Sequence, residues 1–519
     1  MIRDFLSYDG DGVIECDLCI AGAGAAGIAL AREFIGRRER VLVLESGGFE
    51  AEDATQNLYA GPNLGHPYFD LDAARARYFG GSTVHWGGFC TPYDPIDFTV
   101  RDWMPYSGWP ITRADIEPYY PQANEMLDLG PFDYNPKGTP RGDALLPFST
   151  EVLRHKLWRY SGPTNFGEKY RAELEAAENV EVLLHANLLE IDTDDQARTV
   201  TAFPIASLEG HRAKVRAKRY VLALGGIENP RLLLSSNRVI PAGLGNANDL
   251  VGRFFMEHPQ ITAAMVVIER EDWIEAYQTQ TWDGQEVHVG LQPSPAVQER
   301  EHLLNSAIMF GPKLQARARS KGYHSLHKIK EDLGEGQIPE DFAYHLWQVI
   351  TDIGGVIEGA WEKVDPKTYL VVQAEQSPNP DSRVTLIDER DALGMRRAAL
   401  AWRFNPIDKR TIRTLAKSIG KELGRLGAGR LQLEEWLRDE KDDTTWTEYV
   451  VGVYHHIGTT RMADDPSRGV VDADCRLFGT DNFFIAGSSV FPTGGCANPT
   501  LTVVAMALRL AAHLKTRFT

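Results

Sequence analysis

The sequence predicts an α/β domain interleaved with a second domain of α+β type that is built on a sheet. The first domain is predicted by a strand, glycine turn, helix and strand ending in an acid at residues 18–45, and by a second strand ending in paired glycines at 219–226. The second is predicted by residues 265–440, where strand-like runs mix with polar helices and a long insertion at 311–365. A length of 519 residues suits two such units.

Composition and charge indicate an average globular protein that acts on a small molecule. Hydrophobic residues make up 43% and charged residues 24% of the chain. The net charge of -17 argues against a nucleic-acid or anionic-membrane partner and favours a neutral substrate. Five scattered cysteines are typical of a reduced compartment and predict neither a disulfide framework nor a metal site. Without a signal pattern or a membrane-length apolar run, we expect a cytoplasmic protein.

The glycine turn near the N-terminus predicts a dinucleotide site. Gly22, Gly24 and Gly27 follow a short apolar strand and open a helix, and the next apolar strand ends at Glu45. The glycines allow a pyrophosphate to approach the helix N-terminus, and Glu45 can accept hydrogen bonds from a ribose. This Rossmann-like pattern predicts an adenine dinucleotide. The acid disfavours NADP, while FAD and NAD both remain open.

A second glycine-rich segment, residues 78–92, predicts another close approach of backbone to a ligand. Four of its residues are glycines around a histidine and an indole, an arrangement that suits a flat or charged ligand. The alternative is a glycine-rich turn with a packed His-Trp pair. The candidate binding residues are Gly81, Ser82, His85, Trp86 and Gly87.

Further elements follow from local signals. Strands are predicted at 180–184, 188–193 and 219–224, the last one ending at Gly225 before a helix that begins near Asn229. Thr112 is the expected cap of a short helix, and Asn405 with Pro406 opens a long helix that ends at Gly427. Residues 130–165, rich in Pro, Gly and aromatic residues, are predicted to form a long loop or lid.

Near the C-terminus, three features point to one site. His455 and His456 lie in a predicted loop, an apolar strand ends at Gly487, and Asn498 comes just before an apolar helix. Histidine titrates near neutrality, so it can take up or release a proton at a substrate. These features together predict a cofactor ring with a substrate above it.

The ordered combination of motifs resembles the glucose-methanol-choline (GMC) oxidoreductase family. The motifs are Val43-Leu44-Glu45-Ser46-Gly47-Gly48, Gly80-Gly81-Ser82, Val221-Leu222-Ala223-Leu224-Gly225-Gly226-Ile227, His455-x-x-Gly458-Thr459 and Ala497-Asn498-Pro499-Thr500. The resemblance implies FAD and the GMC, or p-hydroxybenzoate hydroxylase-like, fold. It implies an FAD-binding domain from residues 1–90, 180–260 and 455–519, and a substrate-binding or cap domain from 91–179 and 261–454.

Within that family, the chain is similar to the branch of pyranose 2-oxidase and the bacterial glycoside 3-oxidases and dehydrogenases. The similarity rests on His85-Trp86, Gly108-Trp109-Pro110-Ile111, the segment 252–259, and a His-to-Asn catalytic pair. This branch implies oxidation of a ring hydroxyl of a sugar or glycoside. For His85, the resemblance implies one of three roles: a covalent bond to FAD, a non-covalent contact with the flavin, or simple packing as a structural histidine.

The resemblance assigns roles to the C-terminal residues. His455 is the implied base for hydride transfer to flavin N5, and Asn498 is the implied amide donor to the alcohol oxygen, with a helix cap as its alternative role. Gly487 and Ser488 are expected at the phosphate or ribityl chain. Pro499 and Thr500 begin a helix whose N-terminus favours negative charge on the ring.

Two further residues and several rival functions complete the expectations. Gln376 is a candidate for recognising a substrate hydroxyl, with surface turn chemistry as the alternative, and His258 is expected to be structural. Oxygen or an electron carrier serves as acceptor. The rivals are an aryl or aliphatic alcohol oxidase or dehydrogenase, a flavin-retaining lyase, and a non-catalytic flavin-binding module.

Overall fold

The computed structural model describes residues 1–8, 12–162, 164–311, 325–326, 329–330, 333, 342–351, 367–447 and 449–518. Most of the predicted insertion at 311–365 lies outside the described residues. The described strands are β1 (Ile2–Asp4), β2 (Val13–Ala21), β3 (Val41–Leu44), β4 (Phe89–Cys90), β5 (Leu153–Tyr160), β6 (Val180–Leu184), β7 (Asn187–Leu188), β8 (Asp192–Thr193), β9 (Val200–Ala206), β10 (Arg212–Leu222), β11 (Gln260–Ile268), β12 (Gln280–Trp282), β13 (Gln285–Pro293), β14 (Ser306–Gly311), β15 (Thr368–Ala374), β16 (Arg383–Arg390), β17 (Arg396–Ala401), β18 (Gly429–Leu433) and β19 (Phe483–Ile485).

Both helix caps that the sequence predicts are present. The described α-helices are α1 (Ala25–Arg32), α2 (Asp53–Gln56), α3 (Arg113–Ile116), α4 (Tyr120–Met126), α5 (Phe166–Ala176), α6 (Gly225–Ser235), α7 (Glu271–Glu275), α8 (Pro295–Glu301), α9 (Phe342–Thr351), α10 (Pro406–Arg425) and α11 (Thr500–Thr516). Thr112 and Asn405 each form the predicted cap, with a capping box to Asp115 and Asp408 respectively. Among the described residues, none of the helices combines the length and the apolar character needed to cross a bilayer.

A nine-stranded sheet carries the N-terminal glycine turn. Its order is β1-β6-β3-β2-β10-β9-β7, with β19 also paired to β10 and β8 to β9. Strands β1, β6, β3, β2, β10 and β19 run parallel, so their carboxyl ends lie at one edge. Strand β3 and the last four residues of β2 are short, continuous apolar runs that are buried on both faces. The predicted strand at 188–193 is instead two short strands, β7 and β8.

An eight-stranded antiparallel sheet forms the second layer. Its order is β18-β11-β15-β14-β13-β5-β4, with β12 paired to β13. Strand β5 pairs along its length with β13, from Leu153 opposite Pro293 to Arg159 opposite Val287. The prediction of a loop or lid over all of 130–165 is therefore wrong for residues 153–160. The buried Lys156 and Arg159 give this strand a polar sequence although it lies inside the sheet.

The two hydrophobic cores do not follow the predicted domain segments everywhere. Residues 91–129 and helix α5 were assigned by sequence to the cap domain. In the structure, Tyr93, Trp109, Tyr120 and Phe166 pack in the core of the nine-stranded sheet. These segments therefore add aromatic residues to the core of the nine-stranded sheet, where α4 packs on α11 and α5 on α1.

Helix α6 begins four residues before the predicted start at Asn229. Gly225 has a φ of 78°, which lets the chain turn directly from β10 into the helix. The Asn229 side chain accepts a hydrogen bond from the Leu224 amide at 2.9 Å and closes this turn. Pro230 consequently lies inside the helix.

Candidate active site

A cavity of about 380 Å³ lies at the carboxyl ends of the parallel strands. The chain that leaves β2, β3, β10 and β19 contributes to its wall, as expected for a ligand site in an open α/β sheet. The sequence-predicted residues that line it are Gly22, Gly24, Glu45, Ser46, Gly81, Ser82, His85, Trp86, Gly87, Gly225, His455, Gly487, Ser488, Asn498, Pro499 and Thr500. The structure therefore brings together segments from both ends of the chain.

The glycine turn after β2 has no room for side chains at two of its three glycines. Gly22 has a φ of 104°, and a Cβ there would lie 2.5 Å from the Ala223 carbonyl oxygen. A Cβ on Gly27 would lie 1.8 Å from the Gly22 carbonyl oxygen. Gly27 does not line the cavity, so it permits close helix-strand packing and makes no contact with the ligand space.

Glu45 holds the glycine turn in place from the end of β3. Its carboxylate accepts hydrogen bonds from the backbone amides of Ala23 at 2.9 Å, Ser46 at 2.8 Å and Gly47 at 3.2 Å. Burial raises the pKa of Glu45, while these backbone N–H groups oppose that shift. The predicted ribose contact of Glu45 stays a prediction, although the side chain does line the cavity.

The glycine-rich segment forms the adjacent part of the cavity wall. Gly80 has a φ of 100° and donates its amide to the Ala23 carbonyl at 2.9 Å, which joins the two glycine turns. Trp86 is fixed by a hydrogen bond from its Nε1 to the Thr164 carbonyl at 3.0 Å. His85 is exposed towards the cavity, and its predicted covalent bond to FAD stays a prediction.

An arginine cluster that the sequence analysis missed also reaches the cavity. Arg75 lines the wall and pairs with Glu228 at 3.0 Å, and Arg77 and Arg231 contact the same carboxylate. Asp391 is bound to Arg231 at 2.6 Å, and Arg77 attracts the Glu45 carboxylate, so three guanidinium groups face three carboxylates. The arginines lower the pKa of Glu228 to about 2 despite its burial. The cluster is therefore close to charge balance and holds Arg75 in place on the cavity wall.

His455 lies in a pair with the buried His258. The two Nδ1 atoms are 2.8 Å apart, and the rings cross at 83°. His258 Nε2 lies 2.9 Å from the Gly495 carbonyl oxygen and 3.2 Å from that of Gly494. Burial lowers the pKa of His455 well below its usual range, and His258 and His456 lower it further.

A single carboxylate holds the backbone on both sides of this pair. Glu257 accepts hydrogen bonds from the amides of His455 at 2.8 Å, His258 at 2.7 Å and Val453 at 3.1 Å. It also accepts one from the Tyr68 hydroxyl at 2.6 Å. Burial raises the pKa of Glu257 to about 7, but all four partners donate, so the ionised carboxylate is the form that this geometry accommodates.

His456 has a different hydrogen-bond partner from His455. Its Nε2 lies 2.9 Å from the Tyr68 oxygen. The Tyr68 proton goes to Glu257, so the phenol oxygen accepts a hydrogen bond from the imidazole. Burial, and secondarily Arg75, lower the pKa of His456 to about 3, which leaves the ring neutral.

Asn498 contacts His455 rather than capping a helix. Its Nδ2 lies 3.4 Å from His455 Nε2, and its Oδ1 lies 3.4 Å from Gln373 Nε2. The N-cap of α11 is Pro499, and Asn498 makes no capping bond there. The chemical result is a histidine and an amide that face the same point of the cavity.

Gln376 does not line the cavity. Its Oε1 accepts from the Glu257 amide at 3.0 Å and from Trp402 Nε1 at 2.8 Å, and its Nε2 donates to the Arg403 carbonyl at 2.8 Å. Both ends of the amide therefore have protein partners. Its predicted substrate contact stays a prediction without support from this geometry.

The cavity fits a dinucleotide with a flat ring. At Gly87, Gly225 and Gly487 an added Cβ would meet no protein atom within 4 Å, so side chains there would extend into open space on the cavity wall. The N-termini of α1 and α11 both reach the wall, where their first amides are not used by the helix. The residues that line the cavity therefore fit FAD.

Comparison with known proteins gives one family match. Residues 378–507 match the model of the GMC oxidoreductase C-terminal domain, described as GMC oxidoreductase. The fold resembles that of a formate oxidase crystal structure with a TM-score of 0.56, at 16% sequence identity, over 98% of this chain and 99% of that chain. The predicted fold class is confirmed by this likeness.

Curated relatives cover the chain at low identity. The 6'''-hydroxyparomomycin C oxidase of Streptomyces lividus is 25% identical over 96% of this chain and 92% of its own length. The C-glycoside 3-oxidase of Microbacterium trichothecenolyticum is 34% identical, but over 20% of this chain and 21% of its own length.

Proposed function

We propose, from the premise that this chain belongs to the GMC oxidoreductase family and is an FAD-dependent alcohol oxidoreductase, that it oxidises a ring hydroxyl of a sugar or glycoside with His455 as the base. The observation that carries the proposal is the pair of His455 Nε2 and Asn498 Nδ2, 3.4 Å apart on the cavity wall. An alcohol oxygen within about 3 Å of both nitrogens meets a proton acceptor and an amide donor together.

The chemistry divides between the cofactor and the two side chains. FAD, when bound, supplies the acceptor for the hydride that leaves carbon. His455 takes the hydroxyl proton, because its lowered pKa keeps the imidazole neutral at neutral pH and its lone pair available. Asn498 donates its amide to the oxygen as negative charge develops there, and it has no group that can accept the proton.

The cofactor contacts are proposed from the lining of the cavity. The backbone of Gly22 and Gly24 lies beside the N-terminus of α1, where a diphosphate is stabilised by unused amides. Gly487 and Ser488 present backbone after β19 to the ribityl chain or phosphate. Pro499 and Thr500 bring the positive end of α11 to the ring.

The substrate class rests on the relatives and on the cavity wall. One relative bears the name of an oxidase of 6'''-hydroxyparomomycin C, and another the name of a C-glycoside 3-oxidase. The cavity has an aromatic lining from Trp86, Phe89 and Tyr454. An aromatic lining suits a neutral sugar ring. The carbohydrate names favour a sugar over an aliphatic alcohol, and the ring position rests on the name of the 3-oxidase, because carbon 6 of a hexose lies outside the ring.

The test is an anaerobic titration of the purified holoprotein with sugars, glycosides and aromatic alcohols. We expect bleaching of the visible flavin band with sugars or glycosides. Bleaching by aromatic alcohols alone would replace the substrate class, and turnover without bleaching would indicate a lyase. Admission of air then separates an oxidase, which recovers its colour rapidly, from a dehydrogenase that needs another acceptor.

The role of His455 is tested by His455→Ala. We expect the variant to bind FAD but to reduce it about 10²- to 10⁴-fold more slowly, the usual contribution of a general base. His211→Ala is the matched control, because His211 precedes the 11-residue strand β10 and lies about 30 Å from that strand's carboxyl end. A His455→Ala variant with wild-type reduction kinetics would refute the assignment.

A further inference from the structure

We propose that His258 is a positioning residue that fixes the tautomer and orientation of His455, so that the lone pair lies on Nε2, beside Asn498. The inference rests on the proposed function of His455 as base, and it assigns a role to a residue that does not line the cavity. The inference is drawn from the hydrogen-bond partners of the two rings, because some of these partners can accept a hydrogen bond but cannot donate one.

The first step is the protonation of His258. Its Nε2 lies 2.9 Å and 3.2 Å from the carbonyl oxygens of Gly495 and Gly494. Carbonyl oxygens accept and never donate, so Nε2 must carry a proton. The ring is fully buried, and burial lowers its pKa, which favours the neutral form with a lone pair on Nδ1.

The second step is the protonation of His455. The two Nδ1 atoms are 2.8 Å apart, a distance that requires one of them to donate. Because His258 Nδ1 carries a lone pair, His455 Nδ1 must carry the proton. A neutral imidazole has one proton, so His455 Nε2 carries the lone pair.

The third step is the orientation of Asn498, which is independent of the histidines. The Cys496 carbonyl oxygen accepts from Gln373 Nε2 at 3.2 Å, so this nitrogen is the donor end of the Gln373 amide. The same nitrogen lies 3.4 Å from Asn498 Oδ1, which places Nδ2 of Asn498 towards His455 Nε2. A donor therefore faces the deduced lone pair, in agreement with the assignment.

The proton balance of the reaction uses both ends of the His455 ring. The O–H bond of the alcohol breaks, an N–H bond forms at Nε2, and a C=O bond forms as the hydride leaves carbon for the cofactor. The imidazolium that results still donates from Nδ1 to the lone pair of His258. This contact stabilises the positive charge that develops on His455 during proton transfer.

The opposite tautomer would disable the base. If His258 were an imidazolium, both of its nitrogens would donate, and His455 would have to accept at Nδ1. Its Nε2 would then carry the proton and present no lone pair to the alcohol. The two arrangements have different ring nitrogens protonated, so spectroscopy separates them without any turnover.

The experiment combines nitrogen NMR of histidine-labelled holoenzyme with steady-state kinetics. His455 is assigned by the loss of its signals in His455→Gln. In wild type at neutral pH we expect a neutral His455 ring with the proton on Nδ1. A proton on Nε2, or an imidazolium at either ring, would overturn the inference.

Two substitutions at His258 test what the contact does. In His258→Asn, the amide Oδ1 takes the place of Nδ1 and keeps an acceptor, so the tautomer is retained and kcat falls by less than about tenfold. In His258→Leu the acceptor is lost, both tautomers are populated, and kcat falls about 10- to 100-fold, part of the usual contribution of a general base, with KM nearly unchanged. His211→Leu is the control.

The outcomes separate this inference from the proposed function. A His258→Leu variant with the wild-type tautomer and kcat would overturn the inference. If His258→Leu does not fold, the tautomer of His455 in the wild-type spectrum and the kcat of His258→Asn still test the inference. If no alcohol bleaches the flavin, the proposed function fails, while the tautomer measured in the resting enzyme is unaffected by that failure.

Discussion

The N-terminal glycine turn offers a matched pair of substitutions, Gly24→Ala and Gly22→Ala, that separates cofactor binding from folding. Gly24 has a φ of -87°, which any residue adopts, and its Cβ would lie 3.8 Å from Gly81 Cα in ordinary contact. Gly22 has a φ of 104°, and its Cβ would lie 2.5 Å from the Ala223 carbonyl oxygen. The two residues lie on the same cavity wall, but alanine fits the backbone conformation and the space at Gly24 and does not fit those at Gly22.

The expected magnitudes follow from these distances. Gly22→Ala costs roughly 1–2 kcal/mol for the left-handed backbone and about 1–3 kcal/mol for the overlap with backbone that cannot move away. Gly24→Ala leaves the stability of the FAD-free protein within about 1 kcal/mol of wild type, since its conformation is compatible with alanine. If the diphosphate lies against Gly24, the added methyl group costs about 1–3 kcal/mol of binding, a rise in Kd of roughly 5- to 150-fold.

The assay measures both quantities on each variant. Thermal unfolding of FAD-free protein reports stability, and quenching of flavin fluorescence on titration reports Kd. We expect Gly22→Ala to lower the unfolding midpoint, Gly24→Ala to weaken FAD binding alone, and Gly24→Val to abolish it. A Gly24→Ala variant with wild-type Kd would refute the placement of the diphosphate at this turn.

Two further predictions concern stability. Burial lowers the pKa of His288 to about 4. As the pH falls from 7 to 5, the unfolded chain therefore binds a proton at this histidine, with a pKa near 6.5, while the native state does not. The free energy of unfolding falls by about 2 kcal/mol over this pH range. His288→Leu is expected to reduce the difference in the free energy of unfolding between pH 7 and pH 5, measured by urea unfolding. The same difference in the variant as in wild type would contradict this reasoning. The buried Glu375 accepts from both Nη atoms of Arg101 at 2.6 Å, so Glu375→Ala leaves an unpaired charge and lowers the free energy of unfolding by about 3–5 kcal/mol. A loss below about 1 kcal/mol in urea unfolding would contradict that estimate.

Local signals were sufficient to predict much of the fold and of the cavity wall. The glycine turn, the acid at the end of β3 and the paired glycines after β10 each identify a strand end, and parallel strands bring those ends to one edge. Asn405 and Pro406 locate the start of α10 to the residue, because a cap is a contact within a few residues of sequence.

Contacts over long sequence separations explain what the sequence did not reveal. His258 and His455 are 197 residues apart, and the pairings of Met256 with Ile457 and of Gln260 with Val451 bring them together. Strand β5 was missed because residues 130–165 are rich in Pro, Gly and aromatic residues, and because Lys156 and Arg159 give the strand a polar sequence. In the structure, Lys156 donates to Asp94 at 2.7 Å and Arg159 to the Asp133 carbonyl at 2.8 Å, which compensates their burial.

The position of the candidate base depends on both sheets at once. Glu257 lies between the bridge of Met256 with Ile457 and that of Gln260 with Val451, and Gln260 is the first residue of β11 in the antiparallel sheet. Its carboxylate therefore fixes the His455 backbone relative to that sheet, while the glycine turns fix the cofactor space relative to the parallel sheet. A hydride acceptor and a proton acceptor must contact neighbouring atoms of one alcohol, so their separation has to be set within fractions of an ångström. Glu257 joins the two layers by binding the backbone amides of His258 and His455. A shift between the layers would therefore move His455 away from the substrate without unfolding either sheet.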